Sequence, residues 1–212
     1  MFRKLTISQN TIDKQYKCIV SKERSLARAI AFSVEKPAPL SVWDVMIPVV
    51  FILNYLNLKQ ARELLTENLF FTKGLALEGT LKMLKHNQSK EMVMSEIKKK
   101  TDHIMASDSE GIYSKNIRDC QMEEIELLIN HYSKLIKTNA KDYDAMVLRA
   151  YERQEEYWVF IKRLEESEKK VSDAAKKTLG EKANTERLAK IEAAAAKVRQ
   201  AQADKIFKGN PS

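Results

Sequence analysis

Apolar residues recur every three or four positions through most of the chain, the spacing that lines one face of an α-helix. Residues 9 to 35 carry Ile12, Tyr16, Ile19, Leu26, Ile30 and Val34 on that spacing, with Lys14, Lys17, Lys22, Arg24 and Arg28 largely elsewhere. An amphipathic, basic first helix is predicted. Pro37-Ala38-Pro39 stops it, because a residue that precedes proline is driven out of the α region.

One stretch departs from the mixed pattern. Leu40 to Leu58 is nearly continuous apolar sequence in a chain otherwise dense in charge. A helix of that length is about 28 Å long, just short of a hydrocarbon core of about 30 Å. Asp44, Pro48, Asn54 and Asn57 interrupt it, each costly for lipid to face. A buried core helix capped by Ser41 is the favoured reading, with membrane contact as the alternative.

From Lys59 the helical pattern continues through Leu64, Leu65, Leu69, Phe70, Phe71, Leu75, Leu77, Leu81 and Leu84. His86-Asn87-Gln88-Ser89 reads as a loop with Ser89 capping the next helix, which carries Met92, Val93, Ile97, Ile104 and Met105. A polar linker, Ser107 to Gly111, follows. Ser114 caps a helix with Ile117, Ile125, Leu128, Ile129, Tyr132, Leu135 and Ile136 on its apolar side.

The last third is the most regular. Tyr143, Val147, Ala150, Gln154, Tyr157, Ile161, Leu164, Glu168, Val171, Ala175 and Thr178 follow one another by alternating steps of four and three, a heptad seam. A second seam, Leu188, Ile191, Ala195, Val198 and Gln202, is out of phase with it, and the slip falls at Gly180. Gly180 suits the left-handed residue that ends a helix, and Asn184 or Thr185 suits the next cap, so an antiparallel hairpin is expected. In that hairpin Lys197 stands near Glu168, a charged seam position that needs a partner.

Composition strengthens the helical reading. Five Gly and four Pro in 212 residues leave few turns, and no convincing alternating strand is present. The formal charge of +8 is concentrated at the N-terminal end, where residues 1–36 hold eight Lys or Arg against three acids. In a helical protein such an excess most often marks a solvated surface, and less often anionic lipid or nucleic acid as partner. The first residues lack the apolar core of a secretory signal, which points to the cytoplasm. Cys18 and Cys120 are spaced as free thiols rather than as a disulfide framework.

Motif chemistry is sparse. Gly74 and Gly79 bracket a segment that lacks the Lys and Ser or Thr of a phosphate loop, so helix-packing glycines are expected. No Glu-x-x-His pair precedes His86, His103 or His131, which argues against a di-metal bundle. Cys120 and His131 share a helix face without a second ligand pair. Lys98-Lys99-Lys100 lacks the interleaved aromatics that stack on bases. Tyr151, Tyr157, Trp158 and Phe160 cluster around the seam and read as packing residues. Glu192-Ala-Ala-Ala-Ala-Lys197 reads as a thin, rigid helix that a partner could approach closely.

The expectation is therefore an all-α protein: a helical bundle over residues 1–138 organised around 40–58, then a long helix from about 140 and a returning helix over 139–212. Its expected function is non-catalytic, an interaction or scaffold role exercised through helix pairing, with a protein partner or self-association through the C-terminal helices. Tyr157, Trp158, Ile161, Leu164, Glu168 and Lys197 are the candidate interaction residues. The alternative is attachment to the inner, anionic face of a membrane through helix 9–35 and the apolar run, with Trp43, Phe51 and Tyr55 as anchors. RNA binding is a third, disfavoured reading. No catalytic residue, metal ligand or cofactor is expected.

Overall fold

The structure, a computed structural model, describes residues 8–34, 58–109 and 111–208. Trp43, Phe51, Tyr55 and the rest of the apolar run up to residue 57 lie outside the described residues, so its expected role at the centre of the bundle is not addressed by them. Within them the fold is all-α, as the hydrophobic pattern predicts. The helices are α1 (Gln9–Ser33), α2 (Leu58–His86), α3 (Lys90–Ser107), α4 (Lys115–Ile136), α5 (Tyr143–Tyr151), α6 (Gln154–Leu179) and α7 (Thr185–Lys208).

Side-chain caps set most of the starts. Ser8, Ser89, Ser114 and Asp142 each accept a hydrogen bond from the backbone N–H three residues on, satisfying a donor that the first helical turn leaves open. Asn184 does the same for α7, through Oδ1 and the N–H of Arg187 at 3.0 Å. Ser114 also joins Thr178 by a 2.7 Å hydroxyl contact, tying the start of α4 to the end of α6.

The helix expected to run from about residue 140 is in fact two helices. Glu152 takes φ 52°, and α6 restarts at Gln154 after an extended Arg153. A non-glycine residue in that region is strained, and no Gly or Pro announces the break. The change of direction lets α5 and α6 both present aromatic residues inward: Tyr151 and Tyr157 meet edge to face at 5.2 Å. At the other end of α6, Gly180 has φ 57° and ψ −127°, a combination that residues with a Cβ rarely adopt. A single 3-10 turn (Gly180–Lys182) then leads into α7.

α4 lies at the centre. It is packed against α2 and α6, and α1 packs along α2. Ile125, Leu128, Ile129, Tyr132, Leu135 and Ile136 of α4 are essentially inaccessible and join Ile19 of α1, Leu77 of α2, Met146 and Val147 of α5, Ile161 and Leu164 of α6, and Ala203 and Ile206 of α7 in one core. Residues from both sides of position 138 share it. Each such aliphatic side chain contributes about 1.5–3 kcal/mol by leaving water. Gly79 lets α2, α3 and α4 come together: a Cβ there would lie 2.7 Å from Val93 and 3.1 Å from Ile97. Gly74 meets only Phe70 of its own helix among the described residues.

Candidate functional site

Five ionisable side chains from five helices converge inside the bundle: Glu23 of α1, Lys73 of α2, Glu124 of α4, Glu168 of α6 and Arg199 of α7. Each is placed by helical spacing on an inward face. Glu23 falls between Ile19 and Ala27, one turn from each, and Glu124 adjoins Ile125 and precedes Leu128. Arg199 is one turn past Ala195 and shares the buried stripe of α7 with Gln202, Ala203 and Ile206.

Glu168 is the hub. Its Oε1 accepts from Arg199 Nη2 at 2.5 Å and from Lys73 Nζ at 3.3 Å. Burial would raise its pKa, but the Arg199 and Lys73 charges and their hydrogen bonds outweigh that and hold it at about 2. Arg199 answers in kind: burial works against its charge, while Glu168 more than compensates. Glu124 is in the opposite state. Burial first, and then the Glu168 charge, push its pKa up to about 8, with Lys73 and Arg199 opposing. Glu23 is also raised, by burial, against the same two cations. Two carboxyl groups of one cluster thus stand with widely separated affinities for a proton, the pattern by which acid and base roles are divided in many sites.

The cluster closes one end of a cavity of about 100 Å³. Lys73, Glu124, Glu168 and Arg199 line that end, with Thr72 and Gln121 beside them, and Ile30, Leu65, Leu69, Val171, Leu188, Ile191 and Ala195 line much of the remainder together with Ser172 and Glu192, a carboxylate 3.9 Å from Lys176. Gln121 is held by donating to Thr72 Oγ1 at 3.4 Å and accepting from the Tyr113 hydroxyl at 2.7 Å. Asn68, on the cavity wall, is 2 % exposed, yet neither its amide oxygen nor its nitrogen has a hydrogen-bond partner among the described residues. A smaller cavity of about 30 Å³ lies on the other side of Lys73 and Arg199, against Glu23, Tyr143 and Tyr157.

The structure distributes the sequence candidates unevenly. Glu168 is at the heart of the site. Its partner is Arg199 rather than Lys197, which is exposed, because the turn at Gly180–Lys182 reverses the chain slightly later than an even hairpin would and brings the Arg199 face of α7 inward. Tyr157, Ile161 and Leu164 line the smaller cavity from α6, and Trp158 packs at the edge of the core. That seam is covered by α4 and α7 of the same chain. His131 stacks on Phe160 at 3.9 Å, with Nδ1 2.6 Å from the Tyr151 hydroxyl, and burial pushes its pKa down to about 3. Cys120 lies in a separate cluster with Val171 and Leu179, so the shared helix face does not bring it to His131. Lys73, Glu23, Glu124, Asn68 and Arg199 were not singled out in the sequence.

Among the described residues no group of three or more His, Cys, Asp or Glu is arranged to hold a metal ion. No protein-family model matches the chain, and neither a curated protein nor a solved structure is similar to it.

Proposed function

We propose that this is a helical binding protein whose site is the cavity between α1, α2, α4, α6 and α7. The observation that carries the reading is Asn68, a buried side-chain amide on the wall of that cavity with no partner among the described residues. Leaving such a group unsatisfied costs about 1–3 kcal/mol, and native interiors rarely keep one without a use. The lining points the same way, since aliphatic walls interrupted by a few ionisable and amide groups suit a small molecule with both apolar and polar parts. A screen of small molecules of every charge type, read by NMR on labelled protein, tests this. Binders are expected to perturb Asn68 and Ala195 together and to be excluded when Ala195→Met fills the cavity. Binders that perturb neither residue, or none at all, defeat the reading.

A second reading concerns attachment to a membrane. No described helix is long and apolar enough to cross one, but α1 and α2 pack side by side, with α1 ending at Ser33 and α2 starting at Leu58. The end of α1 and the start of α2 therefore lie at the same end of the bundle, and an apolar sequence between two such points suits an anchor on one side of a bilayer. Full-length protein is expected to float with anionic liposomes and to stay bound in high salt. Recovery in the unbound fraction under both conditions removes this reading.

A further inference from the structure

Three carboxyl side chains, Glu124, Glu168 and Glu192, and two cations, Lys73 and Arg199, line the cavity, so net charge selects no ligand. Hydrogen bonding discriminates better. Glu168 already accepts from both cations, at 2.5 Å and 3.3 Å. Three other polar atoms of the lining are buried without a hydrogen-bond partner among the described residues: Oδ1 and Nδ2 of Asn68 and Oε1 of Glu192. Lys176 stands 3.9 Å from that Glu192 oxygen, beyond hydrogen-bond reach, and donates to Asp173 at 3.3 Å.

The unpartnered atoms belong to one end of the cavity. Glu168 meets Arg199 and Lys176 approaches Glu192, so α6 and α7 run antiparallel. Lys170 meets Glu123 and Thr178 meets Ser114, so α4 and α6 are antiparallel as well. Gln121 meets Thr72, and Ile129 lies beside Gly79, which makes α2 and α4 parallel. It follows that α2 and α7 run in the same direction. Asn68 precedes Lys73 by about 7.5 Å along α2, and Glu192 precedes Arg199 by about 10.5 Å along α7. Both are therefore displaced from the charged hub to the same side, at similar heights on two walls of the cavity.

The two oxygens need donors and the Asn68 nitrogen needs an acceptor. A carboxylate brings only acceptors and would face the Glu192 charge. An ammonium brings only donors and leaves Nδ2 unmatched, and a hydroxyl has one hydrogen for two oxygens. A primary carboxamide has two N–H groups and one carbonyl, the number and kind required. One N–H and the carbonyl can pair with the Asn68 amide through two parallel hydrogen bonds, which leaves the second N–H for Glu192. Size is limited too: a dry cavity of about 150 Å³ admits benzene, so the volume of about 100 Å³ here holds roughly four to six non-hydrogen atoms.

We propose, resting on the cavity as a binding site, that its ligand is a short aliphatic primary carboxamide, with the head group held by Asn68 and Glu192 and the stem lying toward Leu69 and Ala195.

Propionamide, propionate and propylamine have nearly the same shape and differ in the head group, so titrating each into the full chain at pH 7, by calorimetry and NMR, isolates it. Propionamide is expected to bind at least about tenfold more tightly than the other two, a difference of about 1.4 kcal/mol, and to shift the Asn68 side-chain amide resonances. Equal binding of all three, or preference for propionate or propylamine, overturns the carboxamide while leaving a binding cavity. Binding of none overturns it too, and the cavity itself then stands or falls by the broader screen and Ala195→Met. Two variants test the head-group contacts. Glu192→Met removes one acceptor from a side chain that keeps 39 % of its exposure, so the fold is expected to be retained and propionamide to bind about tenfold more weakly. Asn68→Leu is expected to raise the melting temperature of the free protein, by removing an unpartnered amide, and to weaken propionamide at least about tenfold. Unchanged propionamide affinity in either folded variant overturns the assignment of the head group to these two residues.

Discussion

Arg199→Met is expected to destabilise the protein by about 3 kcal/mol at pH 7. The magnitude belongs at the low end for a buried ion pair, because the Glu168 side chain keeps 27 % of its exposure and Lys73 still faces it at 3.3 Å. Most of the loss comes from the charge left behind rather than from the contact removed. Glu168→Leu in the same chain therefore recovers much of it, since apolar residues of similar volume can replace a buried pair at little cost. Urea unfolding of the two single variants and the double variant gives the coupling, expected at about 2 kcal/mol. Additive effects would mean that Arg199 and Glu168 do not sense one another, and the cluster would lose its hub.

The all-α fold was legible because its helices carry apolar residues at regular spacing and polar caps at their starts. Ser89, Ser114 and Asn184 stand where the pattern places them. The break at Glu152 was not legible, since the heptad positions Ala150, Gln154 and Tyr157 continue across it without Gly or Pro. Heptad spacing shows that a helix is covered along one stripe, and leaves open whether the covering helix belongs to the same chain. Here α4 and α7 cover Ile161 and Leu164.

The site itself sits in the gaps of that pattern. In α1 the apolar series steps from Ile19 to Leu26, and the missing inward turn is Glu23; in α4 it steps from Ile117 to Ile125, and the missing turn holds Gln121 and Glu124. Glu168 was visible because the seam around it is strictly periodic, so one charge stands out. Lys73 and Arg199 looked like ordinary surface cations of a basic chain, and long basic side chains reach inward only when tertiary neighbours offer them a carboxylate. A helix whose apolar stripe is broken by one acid per two turns thus carries information that a list of its apolar residues discards.

Glu124→Gln tests the other half of the cluster, through pH. A carboxyl whose pKa rises from 4.5 in the unfolded chain to about 8 in the fold holds a proton that the unfolded chain has released anywhere between those values. Folding then takes up a proton, so stability falls as pH rises through that window, by about 1.4 kcal/mol per pH unit at its steepest. Glu23, also raised, adds to the same limb. Glu168, held near 2, acts on the other side: its contribution is present above 4.5 and is lost as pH falls toward 2. Gln keeps the shape and the donor of the protonated acid and cannot ionise. Glu124→Gln is therefore expected to match the parent protein near pH 5, to exceed it at pH 8, and to leave the acid limb in place, with any remaining alkaline slope belonging to Glu23. Chemical unfolding at half-unit steps from pH 3 to 9 gives both limbs. If the variant and the parent lose stability in parallel between pH 5 and 8, Glu124 ionises freely in the fold, and the division of the cluster into one charged and one neutral carboxyl is wrong.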